Sequence, residues 1–193
     1  MEIVVGIGES AISDHQDDIL KIIGLGPCVA VSVYALRRQV LGLAHIPLPY
    51  ANPDADPFTL QLGRYVNTAL PALLNKMKTK FQCLKSELSA CIIGGAQSAQ
   101  PNDLYKIGEK NVEAAKNILA RYNLPFTEFD TGGNYVRSLA IDVATGSIML
   151  KRFRSAPPQD ETDCYHFASS RGMHKEGIDC HVFSIRHPLP KTF

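Results

Sequence analysis

Residues 24–47, GLGPCVAVSVYALRRQVLGLAHIP, contain two short apolar runs separated by the polar turn LRRQ. The runs at residues 29–34 and 40–46 are rich in β-branched and aliphatic side chains and are bounded by turn signals, which is typical of strands. Two glycines and a proline precede the first run and exclude regular structure there. The segment therefore predicts a β-hairpin that begins at Cys28 and ends at His45.

The sequence on either side of this hairpin predicts more strands and two helices. Apolar residues recur every three or four positions over residues 63–77 and 108–122, which indicates two amphipathic helices. Pro71 lies inside the first of them and predicts a kink or a division into two shorter helices. Residues 9–16 are polar and predict a connection, and residues 19–23 are apolar and run into the glycine loop. Strand patterns occur at residues 1–8, 88–93, 126–129, 138–143 and 147–151. Hairpin strands with two helices between them predict an α+β fold.

The amino-acid composition limits the kinds of molecule that the protein can bind. The 193-residue chain has 20 Lys and Arg against 19 Asp and Glu, so its formal net charge is +1. That balance provides no long-range field to attract nucleic acid or an acidic membrane surface. The apolar stretches are far shorter than the about 20 residues that a membrane-spanning helix needs. We therefore expect no nucleic acid partner and no membrane insertion.

Two features predict a cytoplasmic protein. The N-terminus, MEIVV, lacks the basic run of a signal peptide. The five cysteines are odd in number and show neither Cys-x-x-Cys spacing nor the density of a secreted disulfide scaffold. We therefore expect a reducing compartment and at least one free thiol.

The composition changes after residue 151. Residues 155–161, SAPPQDE, have the content of a linker, so we predict a domain at residues 1–154 and a C-terminal extension at 155–193 without an assigned role. The extension contains metal-capable side chains at Cys164, His166, His174, Cys180 and His181. Their spacing matches no common zinc module, so a flexible or peripherally packed extension is favoured over a zinc site.

The predicted hairpin brings a thiol and an imidazole together. Cys28 starts one strand and His45 ends the other, and antiparallel pairing places these two ends side by side. A thiolate is a nucleophile whose pKa a neighbouring imidazolium lowers, and backbone N–H groups of the loop at Gly24 and Gly26 can bind a developing oxyanion. The alternative is a small buried cysteine beside a hydrogen-bonded core histidine. Nucleotide binding is not favoured, because the glycine loops lack both the dinucleotide fingerprint and the Gly-Lys-Ser/Thr of a P-loop.

Six motifs, in order within residues 3–152, resemble the chemoreceptor glutamine deamidase family, CheD. They are VGIGE at 5–9, GLGPCVAV at 24–31, LAHIPLP at 43–49, IGGA at 93–96, IGEKNV at 107–112 and DTGGNYVR at 130–137. The resemblance implies a layered α+β fold of mixed or antiparallel sheets with flanking helices, related to the catalytic domain of cytotoxic necrotizing factor. It also implies a cysteine hydrolase that needs neither a metal nor an organic cofactor.

The resemblance also assigns roles to individual residues. The family's nucleophilic cysteine falls on Cys28 and its histidine on His45, and the oxyanion loop contains Gly24 and Gly26. Binding of the substrate or a partner falls on four residues of the later motifs, which are Gly94, Gly95, Thr131 and Asn134.

Two positions depart from the family pattern. Pro27 stands where the family has a serine, and Ile22 stands where it has the threonine that orients the histidine. Isoleucine accepts no hydrogen bond, so a backbone carbonyl or a water would have to orient the His45 imidazole in this chain.

The implied reaction is the hydrolysis of a protein glutamine to glutamate in bacterial chemotaxis. The implied partners are the cytoplasmic helices of chemoreceptors, the methyl-accepting chemotaxis proteins, together with a CheC-type phosphatase. Because the threonine is replaced, the alternative is a weakly active or inactive module that regulates a CheC-type phosphatase. The sequence identifies neither the target glutamines nor the oligomeric state.

Overall fold

The described part of the chain forms strands and two helices. The computed structural model describes residues 1–52, 54, 61–97, 104–154 and 181–186. The strands are β1 (Glu2–Val4), β2 (Ser10–Ser13), β3 (Ile19–Leu25), β4 (Val29–Ala35), β5 (Val40–Ile46), β6 (Leu88–Gly94), β7 (Phe126–Thr131), β8 (Tyr135–Asp142), β9 (Ser147–Arg154) and β10 (His181–Arg186). The helices are α1 (Val66–Phe81) and α2 (Ile107–Arg121).

The predicted hairpin is present as β4 and β5. The two strands are antiparallel, with Ala30 opposite His45 and Val29 opposite Ile46. Every residue of both strands is buried. Strands covered on both faces have nearly continuous apolar sequences, which explains the apolar runs that predicted the hairpin.

The strands form two five-stranded sheets. The first has the order β1-β3-β8-β9-β10, and the second has the order β2-β5-β4-β6-β7. Each sheet contains one parallel pair, β1 with β3 and β6 with β7, and its other pairs are antiparallel. Both sheets are therefore mixed.

The sheets and helices stack as three layers with two apolar cores. One core lies between the sheets and contains Leu20, Ile22 and Leu25 of β3 together with Ala30 and Leu43 of the second sheet. The other core lies between the second sheet and the two helices and includes Val31, Ile92, Leu70, Leu73 and Ile118. The α+β fold of mixed sheets with flanking helices is therefore confirmed.

Helix α1 continues through Pro71. Of the two alternatives predicted for this proline, a kink or a division into two shorter helices, the division does not occur. The proline lacks the N–H that would bond to the carbonyl of Asn67, four residues earlier. Packing of Leu70, Leu73 and Met77 against the second sheet stabilises the helix on both sides of that gap. Neither helix within the described ranges has the length and apolarity needed to cross a membrane.

Strand β3 occupies the apolar segment before the glycine loop, which had no assigned structure, and two further strands lie in segments that were predicted differently. Residues 10–13 form the edge strand β2, which the sequence had predicted as part of a polar connection; it has only Ala11 and Ile12 as apolar residues, so its pattern is weak. Strand β10 pairs with β9 and belongs to the region predicted as an extension. Residues 155–180, with Cys164, His166, His174 and Cys180, lie outside the described residues, and the boundary at residue 154 stays a prediction.

Candidate active site

Cys28 lies directly before β4, in a loop that is fastened to the turn after β6. Its carbonyl accepts a hydrogen bond of 2.8 Å from the N–H of Gly95, and the carbonyl of Gly26 accepts one of 3.0 Å from Ala96. Gly94 has a φ of +103°, and a Cβ there would lie 2.6 Å from the Cys28 carbonyl oxygen. Only glycine fits this approach, and it fixes the backbone of the thiol-bearing residue. The Cys28 side chain remains 8% exposed.

His45 lies on the same face of the second sheet as Cys28. His45 is opposite Ala30, and Ala30 and Cys28 are two residues apart, so they point to one side. That side faces the core between the sheets, which contains Cys28, Ala30 and Leu43. Cys28 and His45 are therefore diagonal neighbours, and in a regular sheet such residues are roughly 7–8 Å apart. The structure thus places Cys28 and His45 on one face of the sheet as diagonal neighbours, and their thiol–imidazole pairing stays a prediction.

The turn after β1 holds the His45 backbone and imidazole in place. The N–H of Gly8 donates to the His45 carbonyl at 2.8 Å, and the N–H of His45 donates to the Glu9 carbonyl at 3.0 Å. The imidazole Nδ1 lies 3.3 Å from the carbonyl oxygen of Val5. A carbonyl only accepts hydrogen bonds, so Nδ1 bears the proton and Nε2 has the lone pair. Nε2 is buried and has no hydrogen-bond partner among the described residues.

Burial keeps both members of the pair neutral at pH 7. It raises the pKa of the Cys28 thiol, and the residue's own backbone N–H offsets only part of that rise. Burial also lowers the pKa of His45, against smaller opposing effects of the Val5 carbonyl and the Glu9 carboxylate. A neutral imidazole with a free Nε2 can accept a proton, whereas a preformed thiolate–imidazolium pair does not match these shifts.

Ile22, which the resemblance predicted to replace a histidine-orienting threonine, lies in β3 and is completely buried in the core between the sheets. Its side chain offers no polar atom to His45. The sequence predicted that a backbone carbonyl or a water would orient His45. The Val5 carbonyl, next to Nδ1, is such a backbone acceptor.

Two of the predicted binding residues, Gly94 and Gly95, lie beside the Cys28 backbone. Thr131 is paired with Gly94 in the β6–β7 register, and Gly95 bonds directly to Cys28. Asn134 is exposed. The N–H of Gly24 donates to Ser138 Oγ at 3.3 Å. Gly26 has open space where a Cβ would lie.

Sequence reasoning missed Asn111, which lies on the buried side of α2. Its Nδ2 donates to the carbonyl oxygens of Pro27, at 2.9 Å, and Pro47, at 3.0 Å. The side chain is 0% exposed. A polar residue on the apolar face of an amphipathic helix was the signal that could have found it.

A buried charge cluster that was also missed supports the loop after β7. Arg137, which is 1% exposed, donates to both carboxylate oxygens of Asp130 and to the carbonyl of Gly132. Arg152 donates to the same carboxylate. Burial alone would raise the pKa of Asp130, but hydrogen bonds from Arg152 and Arg137 outweigh it and hold the pKa below its ordinary value. The carboxylate stays ionised and holds both guanidinium groups.

The residues within the described ranges form no cluster of three or more His, Cys, Asp or Glu side chains that could hold a metal ion.

Comparison with known proteins finds similarity to one family. The family model described as CheD chemotactic sensory transduction matches residues 48–152, a range that begins after Cys28 and His45. The chemoreceptor glutamine deamidase CheD of Bacillus licheniformis is 34% identical over 150 residues, 76% of this chain and 88% of that protein. That of Thermotoga maritima is 34% identical over 152 residues, 79% of this chain and 92% of that protein.

A third relative and a solved structure extend the comparison. The probable chemoreceptor glutamine deamidase CheD of Pyrococcus abyssi is 35% identical over 156 residues, 78% of this chain and 91% of that protein. The crystal structure of the Bacillus licheniformis hypothetical protein YfiH matches 64% of this chain and 49% of its own chain, with 11% identity and a TM-score of 0.39. The chain thus spans about half the length of YfiH.

Proposed function

The chain belongs to the CheD family, and we propose that it is a chemoreceptor glutamine deamidase with Cys28 as nucleophile and His45 as general base. The observation that supports this most is the arrangement of His45. Its Nδ1 is held by the Val5 carbonyl, while Nε2 is buried on the face where Cys28 lies and has no partner in the part of the chain that the structure describes. A histidine that served only packing would have no need of an unpaired nitrogen.

Formation of the thioester is the first chemical step. The thiol proton of Cys28 passes to Nε2 of His45 as Sγ attacks the carboxamide carbon of a glutamine side chain. The resulting imidazolium then donates this proton to the departing amine, so ammonia leaves and a thioester remains. Because burial disfavours charge on both side chains, the proton transfer and the attack are coupled.

Hydrolysis of the thioester completes the reaction. His45 is neutral again after ammonia leaves, and its Nε2 accepts a proton from the attacking water. The oxygen of that water stays on the side chain as part of a glutamate carboxylate. Sγ leaves and is reprotonated by the imidazolium, which restores both residues for the next cycle.

The oxyanion formed in both steps needs backbone donors. The N–H of Gly24 is already bonded to Ser138. The N–H of Cys28 lies close enough to its own sulfur to lower the thiol pKa. We therefore assign the oxyanion to the N–H groups of Cys28 and the adjacent loop at Gly26, as donors aimed at the developing charge. We also propose a relationship to the catalytic fold of cytotoxic necrotizing factor. It rests on a cysteine in the loop before one strand, Cys28, and a histidine in the neighbouring strand, His45.

The proposed substrate is a glutamine on a cytoplasmic receptor helix. Deamidation adds one negative charge to the helix surface and so changes the like-charge pairs three and four residues away. Gly94, Gly95, Thr131 and Asn134 are proposed to contact this helix, and Gly94 and Gly95 lie directly beside the Cys28 backbone. A CheC-type phosphatase belongs to the same proposal as a regulatory partner, supported by membership of the family.

The test is isotope incorporation into receptor fragments. In water labelled with oxygen-18, each converted glutamine should gain about 3 Da, because the oxygen of the new acid comes from water. Wild type should show this gain, and Cys28→Ala and His45→Ala should not. Cys83→Ala removes another buried thiol, distant in sequence from the site, and is the matched control that should retain activity.

The same experiment decides against the alternative, a binding module that regulates a CheC-type phosphatase. If wild type and Cys28→Ala both fail to label any receptor glutamine but bind the phosphatase equally, the deamidase proposal is wrong. Co-purification of the two proteins with and without the Cys28 substitution measures that binding directly.

A further inference from the structure

Two prolines flank the hairpin at the end where Cys28 and His45 lie: Pro27 precedes Cys28, and Pro47 directly follows β5. Val29 is opposite Ile46 in the hairpin register, so the next positions outward are Cys28 and Pro47. Pro27 and Pro47 have no N–H, and neither can donate a hydrogen bond that would extend the ladder. The hairpin is therefore open at the end where the thiol and the imidazole lie.

Asn111 bridges this open end from the helix layer. Its amide nitrogen donates one hydrogen bond to the carbonyl of Pro27, the residue before Cys28, and one to the carbonyl of Pro47, two residues after His45. The opposite orientation of the amide would place its oxygen against two carbonyl oxygens, so the hydrogen bonds fix which atom is nitrogen. A single side chain thus connects the two strand ends.

The remaining polar atom of Asn111 shows that packing alone does not explain this residue. Its Oδ1 is buried and finds no hydrogen-bond partner within the described ranges, which costs stability. A leucine has the same branching and would fill a similar space without that cost. The bridge is the feature that requires an asparagine.

We propose that Asn111 is a positioning residue that sets the separation between the Cys28 thiol and the His45 imidazole. This inference rests on the proposed function and deepens it. Without the bridge, the Pro27 and Pro47 carbonyls would separate, and the thiol would move away from Nε2. Small displacements of this kind lower the rate of a positioned proton transfer far more than they weaken docking of a large substrate.

The test compares Asn111→Leu and Asn111→Asp with Asn117→Leu, a substitution at an exposed position of the same helix. Both Asn111 variants should lower kcat by at least about tenfold and leave KM within about twofold, because they affect positioning and not docking. The rate of Cys28 alkylation against pH should change to the profile of His45→Ala. Asn117→Leu should match wild type in all three measurements.

Several outcomes would overturn the proposal. One is a folded Asn111→Leu protein with the kcat and the alkylation profile of wild type. Another is unfolding of both Asn111 variants under conditions where Asn117→Leu is folded, because that result would assign Asn111 a structural role alone. If wild type converts no receptor glutamine, the proposed function is wrong, yet the alkylation profile still decides whether Asn111 couples the thiol to the imidazole.

Discussion

The imidazole Nδ1 of His45 lies 3.3 Å from the carbonyl oxygen of Val5, so a backbone group occupies the place of a side-chain acceptor. The turn that presents this carbonyl is itself fixed, since Gly6 N–H donates to the Glu9 carboxylate at 2.9 Å and Gly8 N–H donates to the His45 carbonyl. The His45 imidazole is therefore oriented without a hydrogen bond from residue 22.

Ile22→Thr is predicted to give little gain in activity and a loss of stability. Nδ1 already has an acceptor, so kcat should change by less than about threefold, well below the effect of removing an essential group. The new hydroxyl would enter an apolar core where Ile22 is 0% exposed, at a cost of about 1–3 kcal/mol. Urea unfolding and deamidation rates at matched folded concentration measure both effects. A tenfold rise in kcat would show that the Val5 carbonyl does not orient His45.

The pH dependence of activity should follow the neutral state of His45. Because burial lowers its pKa, the base stays unprotonated below its ordinary value, and kcat/KM should fall only at a pH below about 6.5. The raised pKa of Cys28 predicts that alkylation of the thiol in His45→Ala increases mainly above about pH 8.5. An acid limb of kcat/KM above pH 7, or a thiolate already present at neutral pH, would contradict this assignment.

Asp130→Asn should destabilise the protein strongly. Arg137 is 1% exposed and would lose its counter-charge, which costs about 3–5 kcal/mol for a buried pair. Glu128→Gln, on the same strand at an exposed ion pair with Lys116, is the matched control and should cost less than about 1 kcal/mol. Guanidinium chloride unfolding at pH 7 compares the two. Equal losses would show that the buried cluster contributes no more than a surface pair.

The same carboxylate predicts a loss of stability in acid. Its pKa is lower in the folded state than in the unfolded chain, so the contribution is complete above about pH 4, the ordinary value for aspartate, and is lost as the pH falls through the folded value. Asp130→Asn should remove this part of the pH dependence, which a series of unfolding curves between neutral and acid pH would show.

Gly94→Ala should be more harmful than Gly132→Ala. Both glycines have positive φ, +103° and +69°, but only at Gly94 would a Cβ meet the Cys28 carbonyl; at Gly132 nothing lies within 4 Å. Left-handed backbone costs about 1–2 kcal/mol at each site, and the clash at Gly94 adds about 1–3 kcal/mol. Thermal unfolding and Cys28 alkylation rates measure the difference. Equal effects would mean that Gly94 does not fix the Cys28 backbone.

The hairpin and the amphipathic helix α2 were predictable because each has a strong local pattern. The location of Cys28 and His45 at the same end of the hairpin followed from antiparallel geometry alone. The bridge from Asn111 was not predictable, since it depends on how α2 packs over the ends of two strands distant in sequence. The contact of the Val5 carbonyl with His45 was not predictable either, because every residue has a backbone carbonyl and the amino-acid sequence does not indicate which one is used. Strand β2 was missed because an edge strand with few apolar residues looks like a connection.

The most direct test of the account is the mass of the enzyme after an acid quench during turnover of a glutamine-containing receptor peptide. The account predicts a covalent adduct equal to the peptide minus about 17 Da, the ammonia lost in thioester formation, and its location on the tryptic peptide that contains Cys28. The adduct should be absent in Cys28→Ala. Conversion of glutamine to glutamate by the Cys28→Ala protein, or an adduct on another cysteine, would contradict the central claim that Cys28 is the nucleophile.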